Sequence, residues 1–97
     1  MVKLLRVVKS PKTDKKYRAV FVGESGREKN VDFGAAGMED YTQHHDKERR
    51  ERYRARHKKD LETDDPTRAG YLSYYLLWGD STSLDQNLSA YRRRFAL

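Results

Sequence analysis

The chain has 97 residues, 36% hydrophobic and 37% charged, with a formal net charge of +6. That length supports one domain with a thin core, and seven Tyr, three Phe and one Trp argue against a disordered chain. With no cysteine, disulfides, thiolate nucleophiles and cysteine-based zinc sites are excluded, and no segment reaches transmembrane length.

The opening "MVKLLRVVKSPK" is too short an apolar run for a signal peptide. "KLLRVVK" (Lys3 to Lys9) reads as a first strand. Pro11 and Asp14 then mark a loop, flanked and crossed by Lys9, Lys12, Lys15 and Lys16. "YRAVFV" (Tyr17 to Val22) and "REKNVDF" (Arg27 to Phe33) both alternate with the period of a strand. "GESG" between them signals a tight hairpin. Residues 1–34 are therefore expected to form a three-stranded antiparallel meander, broken by "GAAG" at Gly34 to Gly37.

Residues 35–97 read as helical. After the short polar segment "MEDYTQHH", a basic helix is expected from about 46 to 58. Its opposite charges fall at helical spacing: Asp46 with Arg50, Lys47 with Glu51, Glu48 with Arg52. "DLETDDPT" is an acidic loop. Asp65 suits an N-cap and Pro66 the first helical position, so a central helix is expected over about 66–78, ended by Gly79. Ser83 and Gln86 have the spacing of a capping box for a helix over about 84–95, in which Leu84, Leu88, Tyr91 and Phe95 form one buried stripe. The predicted core is Leu72, Tyr75, Leu76 and Trp78 with Leu88, Tyr91 and Phe95 against them. The fold class is α+β: a single domain with a small sheet followed by three helices, one covering the sheet.

The charge is local. "HHDKERRERYRARHKK" (His44 to Lys59) carries eight Lys/Arg against three acids, and the other eighty-one residues carry thirteen against twelve. Arginine forks match phosphate oxygens, so Lys47, Arg49, Arg50, Arg52, Arg54, Arg56, Lys58 and Lys59 are candidate partner-binding residues. Tyr53 among them either stacks on a base or braces the helix. A solvated charged helix is the plainer reading, but the surplus is large enough to favour a charged partner. Arg92, Arg93 and Arg94 in "YRRRF" form a second basic group, which also suits the negative end of a helix dipole. Zinc-finger, RRM and zipper patterns are absent, so binding to nucleic acid would be phosphate-led with little sequence selectivity.

Catalytic and metal patterns are weak. His44, His45, Asp46 and His57 are suitable ligand types, but Asp46 and His57 lie eleven residues apart, roughly 16 Å along one helix. His44 or His45 is better read as a capping or hydrogen-bonding residue, and His57 as a cation near a helix C-terminus. "GDSTS" lacks a nucleophile elbow, "GAAG" lacks a phosphate loop's lysine, and Asp60, Glu62, Asp64 and Asp65 lack EF-hand order. No catalytic residue, metal, cofactor or small-molecule substrate is expected.

The runs "VDFGAAGMEDYTQHHDKERRERYRARHKK" and "DDPTRAGYLSYYLLWGDSTSLDQNLSAYRRRF" resemble a family of small, basic, functionally uncharacterised proteins encoded mainly by large DNA viruses of eukaryotes. His45 and Leu72 depart from that family's pattern, where a lysine and an aromatic are commoner. The resemblance implies a viral context. The expected function is a non-enzymatic viral accessory protein that holds an anionic partner, foremost nucleic acid, inside the infected cell and in the virion, with no membrane partner. The alternative is a minor capsid or cement protein docking on acidic subunit surfaces. A small metal-dependent nuclease comes a distant third.

Overall fold

The computed structural model describes residues 2–97. Three strands, β1 (Lys3–Lys9), β2 (Lys15–Val22) and β3 (Glu28–Ala35), form one antiparallel sheet in the order β1-β2-β3. The helical part holds α1 (Tyr41–His44), α2 (Lys47–His57), a 3-10 segment (Lys58–Thr63), α3 (Ala69–Leu72) continued by a π-helical turn (Ser73–Leu77), and α4 (Leu84–Phe95). The expected α+β meander is present.

Period-two alternation decides which strand residues face the helices. Leu4 of β1, Ala19 and Phe21 of β2 and Phe33 of β3 are buried in one cluster with Tyr71, Leu72, Leu76, Leu77 and Tyr91. In β1 the pairing slips between Leu4 and Arg6, a bulge that leaves Leu5 outside the ladder and exposed. The sheet's other face buries Val20 and carries a polar cluster. There Asp32 accepts from Arg18 Nε at 2.9 Å and Ser10 Oγ at 2.8 Å, with Lys12 Nζ at 3.5 Å. The Arg18 hydrogen bonds foremost hold the Asp32 carboxyl down at about 2, against the opposing effect of burial.

The sheet runs past the point where "GAAG" was expected to break it. β3 continues to Ala35, paired with Lys15, because Gly34 takes a φ of 81°. A Cβ at Gly34 would lie 2.7 Å from Leu77 Cδ1 of the π-helical turn, and its left-handed backbone is one few other residues adopt, so a larger residue here would strain the chain and shift that side chain. The segment "MEDYTQHH" also contains an unexpected helix, α1. Asp40 and Gln43 form its capping box, and Lys16 Nζ meets both side chains at 2.6 Å.

The central helix starts later than its sequence suggests. Asp65 caps a turn instead, accepting from the Thr67 amide at 3.0 Å and the Thr67 hydroxyl at 2.6 Å, and the helix begins at Ala69. Pro66 is not its first residue. Its carbonyl accepts from the Tyr91 hydroxyl at 2.5 Å, which ties the turn to α4. Leu72, Leu76 and Tyr91 are buried as expected, but Tyr75, Trp78, Leu88 and Phe95 are only half-buried around the core. The C-terminal helix matches its predicted span. Ser83 caps it through the Gln86 amide, but Gln86 Oε1 accepts from Ser81 Oγ rather than closing the box.

Leu76 has no exposed surface, so Leu76→Ala is expected to cost about 2–5 kcal/mol in denaturant unfolding. An unchanged midpoint would show that the helix does not pack there. Folding lowers the Asp32 pKa, so its stabilisation is complete above the ordinary carboxylate range and fades as pH falls through about 2. The stability gap between the native chain and Asp32→Asn should stay constant at neutral pH and close on acidification. A gap that widens in acid would refute the assignment.

Candidate anion-binding face and cleft

Arg, Lys, Glu and Ala favour helix, and the Asp46 side chain starts α2 by accepting from the amides of Glu48 and Arg49. None of the expected i,i+4 ion pairs is among the bridges of the described residues, because Asp46 is used as the cap and Arg50 turns elsewhere. The helix buries no residue fully and is too short to persist alone. Its docking contacts therefore matter.

Two of its arginines make those contacts. Arg54 Nε donates to the Trp78 carbonyl at 2.8 Å and Nη2 to Asp80 Oδ1 at 3.0 Å. Arg50 Nη1 reaches the Gly79 and Asp80 carbonyls at 3.4 Å, while its Nε donates to Glu51 at 2.9 Å. The guanidinium of Arg50 lies 4.7 Å from the Tyr41 ring centroid, and that of Arg54 5.7 Å from Tyr74. Asn87, buried in α4, completes the same junction. Its Nδ2 donates to Leu76 O at 3.0 Å and Ser81 O at 2.8 Å, and its Oδ1 accepts from the Ser81 amide.

Tyr53 braces the helix. Its ring stacks on Trp78 at 4.2 Å and 7°, and on His57 at 4.1 Å and 24°, so both faces are covered and it offers none to a base. Burial foremost raises its hydroxyl to about 12. Three rings thus stand in a row, Trp78–Tyr53–His57, with His57 at the outer end and its Nδ1 3.1 Å from Asp60.

Arg49, Arg52 and Arg56 occupy a different side of α2. At i, i+3 and i+7 they share a stripe, and none forms an ion pair among the described residues. All three line a cleft of about 370 Å³. Gly34 and Ala35 at the end of β3, and Met38, Glu39 and Asp40 beyond it, line it too, with Lys16, Tyr53, His57, Leu77 and Trp78. Met38 is 64% exposed. Lys47, Lys58 and Lys59 are exposed at the ends of the same helix.

The other predicted residues do not join this face. Arg92 donates to the carbonyls of Leu4 and Leu5 at 2.8 Å, bracing the β1 bulge rather than facing a partner. Arg94 lies 4.9 Å from the Tyr75 ring centroid, and Arg93 is exposed beside Asp85 and Gln86. Lys16, expected on a mobile loop, belongs to β2 and is held by Asp40. His45 ends α1 in the left-handed region, and His44 Nδ1 accepts from the Asp46 amide at 2.9 Å, leaving Nε2 buried without a hydrogen bond. Among the described residues no three His, Asp or Glu side chains gather as a metal site, and no helix is long and apolar enough to cross a membrane.

Residues 5–57 match DUF5754, described as a family of unknown function. The chain belongs to this family. The match runs from the β1 bulge to the end of α2, so the DUF5754 region contains the whole arginine stripe and the β3–α1 side of the cleft. Leu77 and Trp78, which close the cleft from the end of the π-helical turn, lie beyond it. No curated protein and no solved structure matches the chain.

Two arginines two positions apart in the sequence should behave differently. Arg54→Ala strands the Trp78 carbonyl and should cost about 1–3 kcal/mol. Arg52→Ala should change stability by less than about 0.5 kcal/mol. Chemical denaturation of both variants checks this, and equal losses would contradict the division.

Proposed function

We propose that this DUF5754 chain is a non-enzymatic binding protein that holds nucleic acid by its phosphates, in the viral context that the sequence resemblance implies. The observation that carries the reading is the stripe Arg49, Arg52 and Arg56, three guanidinium groups on one side of a docked helix without ion-pair partners among the described residues. Planar donor forks at helical spacing suit successive phosphate oxygens. Lys47, Lys58 and Lys59 extend the positive field at either end. Arg50, Arg54 and Arg92 fall outside the binding set, since backbone carbonyls already occupy them.

A second reading, docking on an acidic viral capsid surface, draws on exposed apolar residues of β1. Leu5 and Val8 are each about two-fifths exposed there, which suits a protein interface more than a phosphate backbone.

Titration of labelled duplex DNA at several salt concentrations separates the two. About four phosphate contacts give a slope of log K against log salt of roughly −3 to −4. Unrelated sequences should compete almost equally. The double change Arg52→Ala with Arg56→Ala should flatten the slope by about 2 and weaken binding to every sequence alike. Absence of binding even at low salt would overturn the nucleic-acid reading. Loss of the double variant from particles would then favour the capsid.

A further inference from the structure

The stripe does not lie on a flat surface. It borders a cleft, and the two differ in chemistry: the arginines make one wall, while Leu77, Trp78, Ala35 and Met38 supply apolar surface. The volume, about 370 Å³, falls in the range of small-ligand sites, roughly 300–1,000 Å³. A duplex presents phosphates but keeps its bases stacked inside, so it would leave that apolar space unfilled. We infer that the cleft receives one unstacked nucleotide of a single strand, its phosphate on Arg49, Arg52 and Arg56 and its base against Met38, Ala35 and the open end of the Trp78–Tyr53–His57 stack.

Three features support this occupant. None of the three arginines forms an ion pair among the described residues, and Glu39 on the same cleft offsets only one charge of three, so an anion is the complementary group. Met38 is the most exposed large hydrophobic residue described and stands on the cleft rim, where a flexible thioether packs on a flat ring of any sequence. Tyr53 is enclosed on both faces, but His57, with a 41% exposed side chain, ends the stack and lines the cleft. A further ring placed there continues an existing ladder. Glu39, also on the cleft, supplies an acceptor for the amino or hydroxyl groups of a base or sugar.

This inference rests on the phosphate-binding reading, and the experiment distinguishes their failures. Trp78 is the chain's single tryptophan, so its fluorescence reports on the cleft directly. Adenosine 5′-monophosphate should change that fluorescence saturably, and inorganic phosphate should not. A labelled single strand should bind more tightly than the duplex of the same sequence, by about tenfold at equal salt, the factor one stacked base supplies. Ala35→Phe fills the cleft from an exposed strand position without altering charge. It should abolish the fluorescence change and the single-strand preference and leave duplex affinity as it was. If that variant melts early, Met38→Ala reads the same contact and should lower single-strand affinity alone. Equal affinity for strand and duplex, with both variants silent and the salt slope intact, would overturn the cleft and spare the arginine face. An oligonucleotide bound no more tightly than the mononucleotide would also overturn it, because the strand would then contribute nothing. No binding of either nucleic acid would remove both readings.

Discussion

The carbonyls at and just beyond the end of the central helix must find donors, and much of the molecule is arranged around that need. An α-helix leaves its final carbonyl groups without partners of its own. Here the chain beyond Leu77 turns sharply, at a glycine whose Cβ would fall 2.2 Å from the Tyr75 carbonyl. No continuing turn supplies the donors. They come from side chains on two other helices: Asn87 for Leu76, Arg54 for Trp78, and Arg50 for Gly79 and Asp80. One junction therefore joins α2, α3 and α4. It also explains how a helix as polar as α2 is retained on a domain with so small a core.

The junction divides the basic helix into two populations. Arg50 and Arg54, four residues apart, point along one side into the carbonyls. The arginines on the other side have no such employment. A uniform charge run in the sequence thus becomes a structural half and a free half, and the free half is turned toward the cleft by the same contacts that fix its neighbours. Tyr53 lies between them and, stacked on Trp78, sets the rotation of the helix about its axis.

Much of the fold was legible because its signals are local. β1 and α4 have the spans expected of them, and Ser83 caps α4 as its spacing suggests, whereas Asp46, expected to pair with Arg50, caps α2 instead. The α1 helix was missed although Asp40 and Gln43 carry a capping spacing; "MEDYTQHH" has too few apolar residues to show a helical period. The late start of α3 followed from Thr67, whose amide and hydroxyl both engage Asp65 before Pro66 can open a helix. The candidate site was half legible. Composition identifies the helix, but which arginines are free depends on carbonyls 24 to 30 residues away, and no pattern within the helix encodes them. The cleft was not legible at all, since its opposite side comes from a strand end and a turn whose residues carry no chemical signature.

The π-helical turn gives the cleft a particular vulnerability. Ser73 to Leu77 closes with the Trp78 amide on the Ser73 carbonyl, one residue more than an α-turn holds. Were the same residues to close into ordinary α-turns instead, everything after them would rotate by about 100°. Trp78 would swing away from Tyr53, while every arginine of α2 would remain in the sequence. A change of hydrogen-bond register in this segment would thus separate charge from shape: a chain of unchanged composition whose cationic wall had lost the surface opposite it.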